Sequence, residues 1–126
     1  MKDLRAAVRV FYDGGCPICR REIGWYQRRA GADAIDWLDV ADYPADVPPD
    51  NDTAPLPAGL QREDLLMRFT VQRADGKTAR GAAGFIALWR AIPATAWAGR
   101  LLDNPVTTAA GEIAYRFFLR VRPLWR

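Results

Sequence analysis

The sequence predicts an α/β fold: a central mixed sheet of about four strands with helices on both faces. The expected order is β-α-β-(α)-β-β-α, plus an additional C-terminal helix. Three observations carry this. Segments of strand character alternate along the chain with segments of helical period. The run Val8-Arg9-Val10-Phe11-Tyr12 is almost continuously apolar, as suits a strand covered on both faces. Near the middle, Met67, Phe69 and Val71 alternate with Arg68, Thr70 and Gln72 ahead of an Asp75-Gly76 turn, which is the pattern of a hairpin.

The first strand spans Val8 to Tyr12 and leads into the turn Asp13-Gly14-Gly15. The first helix opens near Pro17, because a first helical turn leaves that N–H free anyway. It runs to about Arg29, and Gly31 supplies a stop. Ile35 to Val40 is the second strand. Residues 41–60 hold five Pro (44, 48, 49, 55, 57) and four Asp, so they predict an irregular functional loop or insertion. A short helix is expected around Gln61 to Leu65. The hairpin strand begins at Met67, and Lys77 to Arg80 returns as its partner. Gly81 and Gly84 bracket the next helix entry. Phe85, Leu88, Trp89 and Ile92 then form a core-facing stripe, which Pro93 stops. Residues 94–105 read as a short helix plus connection. The last helix, from about Thr108 to Val121, is basic and amphipathic over 108–122. Ile113, Phe117 and Val121 share one face; Arg116 and Arg120 lie on another.

A length of 126 residues fits a single domain spanning 1–126 that can bury an ordinary core. No apolar stretch reaches the eighteen or so residues of a membrane span. Met1-Lys2-Asp3-Leu4-Arg5 lacks the apolar run of a secretory signal, so a cytoplasmic, reducing location is expected. Histidine is absent, which removes Ser-His-Asp and Cys-His nucleophiles and His-ligated metals. Charge is uneven. Between Arg29 and Arg62 there are seven Asp and no Lys or Arg, while every charge after Glu112 is positive: Arg116, Arg120, Arg122 and Arg126. These basic residues mark either a solvated helix face or a contact for an acidic partner or a membrane surface, centred on Arg116 and Arg120.

The strongest chemical signal is Cys16-Pro17-Ile18-Cys19, which holds the only two cysteines of the chain. A CxxC at a strand-to-helix junction is where thioredoxin-like proteins keep a redox dithiol. Cys16 is expected at the N-cap, where free N–H groups and the helix dipole favour a thiolate nucleophile. Cys19, one turn inside, is expected to be more shielded and to resolve the mixed disulfide. Pro17 and Ile18 support the motif. Asp13 has two readings: a proton acceptor for a cysteine, or a turn former bonded to backbone. Gly14 and Gly15 are expected to let the chain leave the strand at unusual φ. Tyr12 and Trp25 are either groove walls or core. Arg20 and Arg21 are either surface residues or charges that favour a thiolate.

The element order is that of the thioredoxin fold, and the motifs are more particular. Phe11-Tyr12-Asp13-Gly14-Gly15-Cys16-Pro17-Ile18-Cys19 resembles the signature of the DCC family of thiol-disulfide oxidoreductases, named for an Asp and two Cys. Asp75-Gly76, the stretch Gly81 to Trp89, Tyr115-Arg116 and Val121-Arg122 resemble that family's hairpin, following helix and closing helix. The resemblance implies a thioredoxin-like fold, and a protein or small-molecule thiol or disulfide as substrate. One departure stands out. Thioredoxins and glutaredoxins place a cis-proline just before the third strand, whereas Leu65-Leu66-Met67-Arg68 has none. No motif calls for a cofactor, and none marks a nucleic-acid module. Two alternatives stay open: a Cu(I) or other metal site built from the two thiolates, and a non-catalytic thioredoxin-like adaptor.

Overall fold

The computed structural model describes residues 8–47, 56–57 and 59–124. The expectations for Met1 to Arg5, for Pro48, Pro49, Asp50, Asp52 and Pro55 of the loop, and for Arg126 concern residues outside this set. Four strands, β1 (Val8–Tyr12), β2 (Ile35–Asp39), β3 (Thr70–Gln72) and β4 (Thr78–Arg80), form one mixed sheet in the order β2-β1-β3-β4. β1 and β2 are parallel, and α1 (Pro17–Gln27) crosses between them. β3 runs antiparallel to both β1 and β4. The helices that follow are α2 (Arg62–Met67), α3 (Ala82–Ala91), α4 (Ala96–Leu102) and α5 (Pro105–Val121). This is the expected thioredoxin-like arrangement, extended by α4 and α5.

The pleat of β1 explains its composition. Successive side chains point to opposite faces, and both faces are covered. Val10 faces a cluster with Ile23, Tyr26, Val71, Leu88 and Ile92, drawn from α1, β3 and the α3 end. Phe11 faces Val40, Tyr43 and Leu65 on the other side. Neither residue keeps any exposed surface. Burying each side chain is worth about 1.5–3 kcal/mol.

Several boundaries differ from the sequence expectation, each for a local reason. β2 stops at Asp39, because the Asp39 carboxylate accepts the Ala41 N–H at 3.0 Å and starts a 3₁₀ turn at Val40. Met67 is not in a strand. The Asp64 carboxylate accepts the Gln61 N–H at 2.8 Å, and the helix so opened runs on through Met67, which is exposed. α3 ends at Ala91, with Ile92 extended as a residue before proline must be. α5 begins at Pro105 rather than Thr108. Asn104 is its N-cap, accepting the Thr107 N–H at 2.9 Å, and Pro105 takes the first helical position. Gly76 has a φ of 89°, the left-handed conformation the hairpin turn requires.

The inner face of α5 is also not the one the apolar pattern suggests. Tyr115 is buried there, with Phe118 and Leu119 beside it, whereas Ile113 and Phe117 are exposed. Tyr115 Oη accepts the Phe69 N–H at 2.6 Å, and the Phe85 ring lies between, stacked on Phe69 and edge-on to Tyr115. Arg68 pairs with Glu112 close by. These contacts lock α5 onto the entrance of β3. Among the described residues no helix is long and apolar enough to cross a membrane.

Replacing Tyr115 with Phe keeps the ring and strands a buried N–H. Stability measured by urea unfolding should fall by about 1–3 kcal/mol. An unchanged midpoint would mean that Phe69 has another partner.

Candidate active site

The site is built where β1 ends. The Asp13 carboxylate accepts the Gly15 N–H at 2.9 Å, and the Asp13 carbonyl accepts the Cys16 N–H at 3.2 Å. Asp13 is therefore a turn former, as one of its two readings holds. Gly14 donates its N–H to Asp39 Oδ1 at 2.8 Å, tying this turn to the end of β2. Gly14 and Gly15 do not have positive φ, contrary to expectation. The glycine at 14 answers to crowding: a Cβ there would lie 1.9 Å from Asp39 Oδ2.

Cys16 is the N-cap of α1, and its Sγ accepts the Cys19 N–H at 3.3 Å. Pro17 follows in the first turn. The exposures of the two thiols are the reverse of the expectation. Cys16 is wholly buried and Cys19 only half-buried. As N-cap, Cys16 holds its Sγ against the helix start, where it accepts the Cys19 N–H, whereas Cys19 borders a cavity. Pro17 and Ile18 stand out at the surface between them.

Cys19 lines a small cavity of about 40 Å³ together with Tyr12, Asp13, Glu22, Leu66 and Arg122, among others. Burial pushes the Cys19 thiol up from 9.0 to about 12. A hydrogen bond and charge from Cys16 add to the rise, Arg122 offsets part of it, and Asp13 adds a little more. Arg20 and Arg21 are not among these influences; both are exposed on the helix surface. Trp25 is exposed too, and its ring carries the Arg29 guanidinium at 4.2 Å rather than walling the cavity. Tyr12 does line the cavity, and its hydroxyl is raised first by burial and then by Asp39 and Asp42.

Two residues enter the site that were not among the expected site residues. Arg122, at the C-terminal cap of α5, donates to the Leu66 carbonyl at 2.8 Å and lies 3.9 Å from Asp13 Oδ2. It thus fixes the backbone just before β3, the stretch that lacks the cis-proline; among the described residues no peptide bond is cis. Its marks in the sequence are its place in the basic C-terminal run and the Val121-Arg122 match to the closing helix of the family. Glu22 follows Cys19 by three residues, so helical spacing puts both on one face. Its carboxyl is raised by burial, partly offset by the Tyr26 hydroxyl, which donates to it at 2.9 Å. Trp89 in turn donates its indole N–H to the Tyr26 oxygen at 2.7 Å.

A parallel β1–β2 pair, an antiparallel β3–β4 hairpin and a CxxC at the first helix cap define a thioredoxin-like protein with a paired thiol site. A model of the DCC1-like thiol-disulfide oxidoreductase family matches residues 10–126, and the chain belongs to that family. No curated protein and no solved structure matches the chain.

The sign of the Cys19 shift leads to an alkaline test. Its folded value lies above that of an unfolded thiol, about 8.5. The stability it contributes is complete below that pH and is lost as pH rises towards 12. Urea unfolding between pH 8 and about 11 should therefore lose stability more steeply for the parent than for Cys19→Ser. Parallel curves would show that the Cys19 thiol is not held up by the fold.

Proposed function

We propose that the chain exchanges disulfides through Cys16 and Cys19, with Cys16 as nucleophile and Cys19 as resolving thiol. The observation that carries this is the inequality of the two sulfurs. Cys16 Sγ receives a helix-terminal N–H, the position at which a helix stabilises negative charge. Cys19 keeps its proton at neutral pH. The family supports the same reading.

The Cys16 thiolate attacks one sulfur of a substrate disulfide, and the other sulfur leaves as a thiolate. Cys19 then loses its proton and attacks Cys16 Sγ. The substrate's second sulfur leaves, and a Cys16–Cys19 disulfide remains. The substrate has gained two electrons and the dithiol has lost them. Once Cys16 is in a mixed disulfide it no longer holds the Cys19 proton by charge, but burial still does. A base is needed, and Glu22 takes this part. It borders the same cavity, and burial brings its carboxyl closer to neutral pH. Asp13 holds the turn, and its carboxylate adds to the rise of the Cys19 thiol. Because Cys16 is buried, the first attack requires the structure to open around it.

In Cys19→Ser, exposure to a disulfide substrate or cell extract should accumulate mixed disulfides on Cys16, and Cys16→Ser should accumulate none. No adduct in either variant would sink the exchange reading and favour an adaptor. Glu22→Gln should leave formation of the mixed disulfide unchanged and slow its resolution about a hundredfold, measured by stopped-flow. Equal slowing of both steps would remove Glu22 from the mechanism.

A further inference from the structure

The two faces of α5 are both apolar, and only one has a use in the fold. Tyr115, Phe118 and Leu119 pack inward, and Glu112 turns to Arg68. On the opposite side Val106 is 80 % exposed, Ile113 71 % and Phe117 68 %, with Leu124 at 82 % in the turn just beyond the helix. Their spacings of seven, four and seven residues lie close to whole helical turns, so they form one ridge. Ala109 and Ala110, also exposed, fill the gap between Val106 and Ile113. From Val106 to Leu124 the ridge is about 27 Å long. None of these residues borders the Cys19 cavity or the apolar groove between α3 and α5. Arg116 and Arg120, one turn apart and exposed, flank the ridge on one side.

We propose that this outer face of α5 docks on an anionic lipid surface, lying in the plane of the headgroups with Ile113 and Phe117 below and the arginines at headgroup level. Charge selects this occupant. The only acidic residue of α5 is Glu112, and it is engaged inward, so the outer face offers cations alone. A second copy meeting the same patch would bring arginine to arginine with no acid to pair it. A shaped protein partner that covered the ridge would strip water from both guanidinium groups. A headgroup layer keeps them hydrated and paired, while long arginine stems lie along apolar surface. A straight ridge also asks for a yielding plane rather than a groove. The inference is independent of the exchange chemistry.

The test is sedimentation of the full chain with phosphatidylcholine vesicles, with and without phosphatidylglycerol, at low and at high salt. Binding is expected to the anionic vesicles only and to weaken with salt. Arg116→Gln/Arg120→Gln should lower partitioning about thirtyfold, and Phe117→Ala about tenfold. Both changes sit on exposed positions. Circular dichroism and the alkylation rate of the two thiols should match the parent, which separates lost docking from lost fold. Absence of binding to anionic vesicles at low salt would overturn the proposal. So would equal binding by the variants, or a concentration-dependent dimer that Phe117→Ala dissolves while vesicles stay bare.

Discussion

Val10 and Phe11 are neighbours in sequence with no surface left to water, and each belongs to a different apolar cluster. A strand enclosed in this way cannot slip by one residue, because a slip would exchange the two faces. It also cannot continue past its cover. β1 therefore releases the chain at one place, Tyr12, and the turn that follows must reverse direction beside the end of β2. The hydrogen bond from Gly14 to Asp39 is the result. The dithiol sits where it does because the central strand is fixed in register by its own burial.

That placement makes the two sulfurs unlike without any residue dedicated to the task. One is a helix cap and takes a backbone N–H; the other is a turn deeper, facing a cavity with two carboxyl side chains and one guanidinium. Burial dominates the second thiol, and the Arg122 charge opposes it only in part. The same guanidinium holds the Leu66 carbonyl. Electrostatics of the thiol pair and geometry of the approach before β3 are thus joined through one side chain.

Features set by short-range rules were legible in the sequence. The continuous apolar run marked β1, Pro17 after Cys16 marked the helix cap, and Asp75-Gly76 marked the hairpin. The errors arose where two local signals competed. Met67 alternates with Phe69 and Val71 like a strand residue, but Asp64 caps a helix that carries past it. Ile113 and Phe117 carry the apolar spacing of a core face, but Tyr115 wins the interior because its hydroxyl satisfies the Phe69 N–H. The exposure of the thiols depended on the packing around each sulfur, which spacing does not encode. Arg122 was legible as part of the closing helix but not as a site residue, since nothing near it in sequence points to Leu66 or Asp13.

Arg122 and Asp13 are separated by more than a hundred residues, yet they meet at 3.9 Å. Closing a pairing of that span carries the loop entropy of most of the chain. During synthesis the CxxC leaves the ribosome long before α5 exists to cap its cavity. In that interval neither the CxxC nor the backbone before β3 has the Arg122 guanidinium beside it. The nascent chain therefore carries the dithiol before it carries the site the finished protein contains.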